Sequence, residues 1–175
     1  MKRTTLLLAA MLCISFSLMA NINNSGKELN RLMKLLPDNV STQHVKEIFG
    51  EATIITINNK TGEEYWQYKN DDEDIYFRWD MKTNKLKNLS YNSHEKQKQN
   101  WENHYLALLE MGTTSMKDAI NILGNPASMY LQSSGNSLRY TYADITLQLQ
   151  FKKGVLSSIN VSTNEKKEGT TITIE

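Results

Sequence analysis

Two stretches of the chain, residues 29–92 and 105–162, carry the same pattern of residue types at a spacing of 74 positions. The superposed positions hold leucines, a helix-capping serine, a glycine and an aromatic pair: Leu32 and Leu106, Ser41 and Ser115, Gly50 and Gly124, Trp66 with Tyr68 and Tyr140 with Tyr142. Such internal self-similarity is typical of a fold built from two copies of one structural unit.

Helix signals open each copy and strand signals complete it. Apolar residues at i, i+3, i+4 and i+7 from Leu29 predict one amphipathic helix, and a second helix is predicted from the cap Ser41 to Gly50. Alternation of apolar and polar residues, clearest around Ile75 and Phe77, predicts the strands that follow. We therefore expect an α+β fold of two tandem repeats, each a helical hairpin followed by a three- to four-stranded antiparallel meander.

The N-terminus indicates export. Residues 1–20 combine the basic pair Lys2 and Arg3, an apolar run and a small residue at Ala20, which predicts a signal peptide cleaved near Ala20. We expect a periplasmic or secreted protein of a bacterial envelope; an uncleaved anchor and a lipidated Cys13 are the alternatives. The rest divides into a first repeat (21–92), a linker with the start of the next helix (93–104), a second repeat (105–162) and a polar tail (163–175).

The charge balance argues against several classes of partner. The chain has a net charge of +1, and loss of Lys2 and Arg3 leaves −1, which gives no support to nucleic-acid binding. No second apolar run is long enough for an integral membrane segment after signal removal. Cys13 is the only cysteine, so the mature chain would have neither a disulfide nor a cysteine ligand for a metal. The oligomeric state stays open.

No set of residues is arranged for chemistry. His44, His94 and His104 are too far apart in sequence for a zinc motif. The sequence also lacks the motifs of an activated serine nucleophile and of a phosphate-binding glycine loop. We predict a protein that is not an enzyme and that has no cofactor and no metal.

An acidic turn and the solvent-facing side of its neighbouring strands form the candidate binding surface. Exposed tyrosine and arginine are common at the energetic centres of protein interfaces, and the matching positions of the second copy are blander. An ordinary solvated turn and a calcium site are the alternatives, although the turn lacks the glycine and the distal glutamate of an EF-hand loop. The candidate partner-binding residues are Tyr65, Asp71, Asp72, Glu73, Asp74, Tyr76, Arg78 and Asp80.

The capped helix, its glycine and the aromatic pair of each copy resemble the repeat of the β-lactamase-inhibitor-protein fold and of the related small outer-membrane lipoprotein family (SmpA/OmlA, the BamE type). The residues that carry the resemblance are Ser41–Gly50-Glu51-Ala52 with Trp66 and Tyr68, and Ser115–Gly124-Asn125-Pro126 with Tyr140 and Tyr142. The resemblance implies that the two sheets join into one curved sheet with the helices on one face. It also implies that an acid of the first-repeat hairpin enters the active site of a target enzyme. The chain departs from these families in having no disulfide and no convincing lipobox.

Together these features favour an exported, non-enzymatic protein-binding module. It would be an inhibitor or an immunity-type protein that acts on a protein partner through the acidic hairpin and the solvent-facing side of the first repeat. The alternatives are a structural envelope component involved in outer-membrane assembly or maintenance, and a small-ligand carrier.

Overall fold

The computed structural model describes residues 26–35, 40–94, 103–164 and 171–174. Its helices are α1 (Lys27–Met33), α2 (Thr42–Phe49), a 3₁₀ helix (Asn103–Leu108) and α3 (Met116–Leu123). Its strands are β1 (Ile54–Asn58), β2 (Glu63–Lys69), β3 (Glu73–Asp80), β4 (Lys85–Ser93), β5 (Ser128–Gln132), β6 (Gly135–Thr141), β7 (Ile145–Lys152), β8 (Val155–Thr163) and β9 (Thr171–Ile174). They form one antiparallel sheet in chain order. The predicted signal peptide lies outside the described residues.

The predicted fold class, two units of a helical hairpin and a meander each, is wrong. A single nine-stranded sheet runs through the described chain, because β4 pairs with β5 and places Leu89 opposite Leu131. Separate meanders would leave unpaired backbone groups along two more strand edges, and this pairing satisfies them. In the second copy, where a helical hairpin was also predicted, the described residues before α3 form only a short 3₁₀ helix, Asn103–Leu108.

Strand positions agree with the alternation in the sequence to within about two residues, as the bounds of β1 to β8 show. The sequence left open whether residues 170–175 form an edge strand. Residues 171–174 do so as β9, which pairs with β8 and places Ile172 opposite Val161. The two edge strands of the described sheet are therefore β1 and β9.

One side of the sheet packs against the helices and forms the core. Alternate residues of β3 and β7 are buried on this side, and the buried faces of the α-helices belong to the same hydrophobic cluster. All four rings of the aromatic pairs are buried, so these pairs are part of the core. Phe49 of α2 lies 5.2 Å from the ring of Tyr68 and 5.9 Å from that of Phe77, centroid to centroid. Each such ring contributes about 1.5–3 kcal/mol by leaving water.

Helices α2 and α3 begin and end in the same way. The Ser41 hydroxyl accepts a hydrogen bond from the backbone N–H of His44, and Ser115 forms a reciprocal capping box with Asp118. Both helices end at a glycine with φ of 80° and an extended ψ: −154° at Gly50 and −157° at Gly124. These dihedral angles lie outside the left-handed helical region that commonly ends a helix, in a region of the Ramachandran plot open almost only to glycine.

We expect Gly50→Ala to lower the free energy of unfolding by about 1–3 kcal/mol, because alanine is strained at these dihedral angles. A Cβ at this position would meet no atom within 4 Å, so the loss would come from the backbone alone. Urea denaturation is the measurement, and Glu51→Ala is the control because this exposed neighbour forms only a surface ion pair with Lys46. Equal losses in the two variants would contradict the backbone argument.

Candidate functional site

The side of the sheet turned away from the helices carries polar side chains, and we call it the polar face. Cross-strand pairing arranges its residues in rows whose neighbours are about 4.8 Å apart from strand to strand. One row contains Tyr65, Arg78, Asn88 and Gln132; the next contains Gln67, Tyr76, Ser90 and Tyr130. The strand register thus brings together three of the predicted site residues, Tyr65, Tyr76 and Arg78.

The tyrosines of this surface are held by neighbours yet remain accessible. Tyr65 is 36% exposed and Tyr76 is 37% exposed. The Tyr65 hydroxyl donates a 2.7 Å hydrogen bond to Glu63, which raises the pKa of Tyr65, whereas the neighbouring Arg78 guanidinium acts in the opposite direction. The Tyr76 hydroxyl accepts a 3.0 Å hydrogen bond from Gln67. These rings are therefore oriented before any partner arrives, which lowers the entropy cost of binding.

Asp80 lies at the end of the same face, where its charge is already paired. A bulge in β4, at the register shift between Arg78 and Trp79, lets Lys87 reach two carboxylates. Its Nζ lies 3.1 Å from an oxygen of Glu63 and 3.2 Å from an oxygen of Asp80. Hydrogen bonds from Thr83, backbone first, and then from Lys87 hold the pKa of Asp80 at about 2. Asp80 therefore stays ionised and is already paired with Lys87.

The turn between β2 and β3 presents two of its acids to solvent. The Asn70 side-chain oxygen accepts hydrogen bonds from the backbone N–H groups of Asp72 (2.9 Å) and Glu73 (2.8 Å), which fixes the turn. The side chains of Asp71 and Asp72 are exposed. Asp74 belongs to the polar face, where it lies opposite Lys69.

Glu73, predicted to contact a partner, lies instead on the core side and is only 4% exposed. One carboxylate oxygen accepts a 2.8 Å hydrogen bond from the Tyr91 hydroxyl, and the other accepts a 2.9 Å hydrogen bond from the backbone N–H of Glu28. Glu73 thereby caps the N-terminus of α1 and attaches this helix to the sheet.

We expect Glu73→Ala to destabilise the fold by about 1–3 kcal/mol, since it removes the buried carboxylate that accepts hydrogen bonds from the Tyr91 hydroxyl and the Glu28 N–H. Chemical denaturation monitored by tryptophan fluorescence measures the effect. Asp72→Ala is the matched control, because it removes an exposed acid from the same turn and should leave stability within about 0.5 kcal/mol. A neutral Glu73→Ala would show that the carboxylate does not hold α1.

His94 ties the end of β4 to the acidic turn. Its backbone N–H donates to the Asp72 carbonyl at 2.7 Å. Its ring nitrogens lie 3.0 Å from the Asp71 carbonyl oxygen and 3.2 Å from an Asp74 carboxylate oxygen. Only the protonated ring can donate to both acceptors. The Asp71 carbonyl first, and the Asp74 carboxylate second, therefore raise the pKa of His94 above its usual 6.5.

A raised pKa means that this interaction stabilises the fold fully below pH 6.5 and is lost as the pH rises through the folded-state pKa. We expect an NMR titration to show the raised pKa of the His94 ring and Asp74→Asn to lower it. Unfolding measured from pH 5 to pH 8 should lose part of its pH dependence in His94→Gln. A His94 pKa that is unchanged in Asp74→Asn would contradict the assignment.

Two residues of this surface, Tyr130 and Lys87, were not predicted from the sequence. Tyr130, 40% exposed, shares a row with Tyr76 because β4 pairs with β5, a pairing that the sequence left undetermined. The sequence does indicate that Tyr130 faces away from the core, since its neighbours Met129 and Leu131 are apolar and successive residues of a strand alternate in direction. Lys87 reaches its carboxylates only through the bulge, for which no sequence signal was found.

Among the described residues, no three His, Cys, Asp or Glu side chains are grouped to hold a metal ion. No helix in the same ranges has the length and apolar character needed to cross a membrane.

No protein-family model matches the sequence, and neither does any curated protein. The fold is similar to that of a solved structure described as a "putative beta-lactamase inhibitor protein" from Streptococcus mutans, with 15% sequence identity and a TM-score of 0.48. The similarity covers 83% of this chain and 97% of the other. A likeness at this level concerns the backbone alone. The resemblance to the small outer-membrane lipoproteins is not supported by any of these matches.

Proposed function

We propose that this chain is an exported, non-enzymatic protein that binds another protein through the polar face of β2 to β5. The observation that carries the proposal is the cluster of three exposed tyrosines, Tyr65, Tyr76 and Tyr130, around the half-buried Arg78 on adjacent strands of one sheet. Tyrosine and arginine are the residues on which protein interfaces most often depend, because they combine a large contact area with directed hydrogen bonds.

The internal contacts of this cluster support a role in binding. Lys87 pairs with both Glu63 and Asp80 beside it, so each of these carboxylates keeps a cationic neighbour when a partner covers Tyr65, although the three groups together carry a net charge of −1. Arg78 Nε is buried and has no hydrogen-bond partner among the described residues. Asp74 Oδ1 and Asn88 Nδ2 on the same face are also buried without a hydrogen-bond partner among the described residues, so the polar groups of this face are not fully satisfied within the chain.

The exposed acids of the turn suggest the kind of partner. Asp71 and Asp72 lie at the end of the β2–β3 hairpin, beside the tyrosine cluster, and their side chains are exposed. Acidic side chains at the rim of an interface favour a partner with a basic surface and speed its association. We propose a partner with a basic cleft, which the hairpin enters; inhibition of an enzyme or immunity to a toxin would use this geometry.

The test compares two triple variants of the same protein. Asp72→Ala, Tyr76→Ala and Arg78→Ala together should weaken partner binding at least ~100-fold, because two lost hot-spot residues cost more than about 2 kcal/mol each. A partner is first captured with the unsubstituted protein from the exported fraction of the source organism, then purified and titrated by calorimetry. Thermal unfolding of the triple variant should match that of the parent.

The matched control removes one arginine and two neighbours from the other half of the same face: Arg139→Ala, Gln148→Ala and Gln150→Ala. We expect its affinity to stay within about threefold of the parent, since these residues lie outside the tyrosine cluster. Equal loss in both triple variants, or loss of folding in the first, would contradict the proposed surface. Recovery of the parent protein with the membrane fraction would instead favour an envelope component.

A further inference from the structure

Strand β1 lies at one edge of the sheet and is exposed in four of its five residues. Its three isoleucines, Ile54, Ile55 and Ile57, are 50%, 45% and 54% exposed. The strand has no charged residue and no proline. Natural proteins normally protect a free edge with charges, proline or a bulge, because unpaired backbone groups beside apolar side chains readily pair with another strand.

The isoleucines of β1 extend the apolar side of the sheet up to its border. Ile55 lies opposite the buried Trp66, so it belongs to the helix side, and Ile57 points to the same side. Ile54 and Thr56 belong to the polar face. The apolar surface of the core therefore continues to the edge through Ile55 and Ile57 and ends there in solvent.

We infer that β1 pairs with β1 of a second copy of this chain. The two strands are antiparallel and are related by a twofold axis that passes between the two Thr56 residues. A twofold interface requires a surface that is complementary to itself. In this register Ile55 of each copy lies opposite Ile57 of the other on the helix side, and Thr56 lies opposite Thr56. It is also the register that matches all five residues of both strands, since any shift leaves residues at the ends unpaired.

The charges that flank β1 favour the same arrangement. Glu51, which already forms a surface ion pair with Lys46, precedes the strand and Lys60 follows it, and both are exposed. Antiparallel pairing brings the start of one strand to the end of the other, so Lys60 of each copy approaches Glu51 of its partner. Pairing between β1 and β9 of another copy would instead build open chains of molecules, because the two edges differ. The self-complementary strand therefore points to a closed dimer.

The first test is the oligomeric state. A contact of about five residues a side lies below the standard interface size, so we expect a monomer–dimer equilibrium that depends on protein concentration. Sedimentation of the purified chain measures it. Ile55→Lys with Ile57→Lys places like charges opposite each other across the twofold axis and should raise the dissociation constant by roughly tenfold or more. Leu108→Lys with Met111→Lys, at two exposed positions outside the sheet, is the matched control and should leave the dimer intact.

A second test reads the register. In a Cys13→Ser background, so that the introduced thiol is the only one, Thr56→Cys should give a disulfide-linked dimer on mild oxidation, because directly opposed residues have Cα atoms about 4.5–5.5 Å apart. Asn58→Cys is the control, since its two copies would lie four residues apart along the strands, about 13 Å. The inference is overturned by a monomer at all concentrations, by open chains, by a dimer unaffected by the lysines at 55 and 57, or by better cross-linking at 58 than at 56.

Discussion

The polar face depends on the pairing of β4 with β5. The two strands are separated in sequence by the 3₁₀ helix and α3, yet they pair over five residues from Asn88 to Asn92. The entropy cost of closing a long connection rises only slowly with its length. Against this cost, the pairing satisfies two strand edges and buries Leu89 beside Leu131. The pairing also makes the polar face continuous from β1–β4 to β5–β9, so that Tyr130 lies in the same row as Tyr76.

Strand register also decides what each acid of the hairpin does. Glu73 and Asp74 are adjacent and chemically alike, but successive side chains of a strand point to opposite faces. Glu73 therefore enters the core and caps α1, where a Cβ on Gly26 would collide with its carboxylate. Asp74 turns to the polar face and contacts His94. The acidic run is thus divided between a structural carboxylate, an ion pair and two exposed acids, Asp71 and Asp72.

Local signals in the sequence were sufficient for the strands and for the caps Ser41 and Ser115, since alternation and capping depend on near neighbours. These signals were insufficient to predict which strands pair with each other. A period of two determines which face a residue occupies and leaves the neighbouring strand undetermined, so the union of the two meanders was not predictable from the residues alone. The start of α1 shows the same limit, because the N–H of Glu28 in its first turn donates to a carboxylate 45 residues away.

The residue composition of the polar face indicates which of its strands form the centre of the binding surface. Its part on β6 to β8 carries mainly hydroxyl and amide groups, which are well hydrated and gain little when a partner replaces water. Its part on β2 to β4 carries the tyrosines and Arg78, and Tyr130 extends this group onto β5. The centre of the cluster therefore falls on β3 and β4, with the acidic turn at its rim. Charges at a rim govern the rate and selectivity of encounter more than affinity. The tyrosines and Arg78, rather than Asp71 and Asp72, would accordingly supply most of the binding energy.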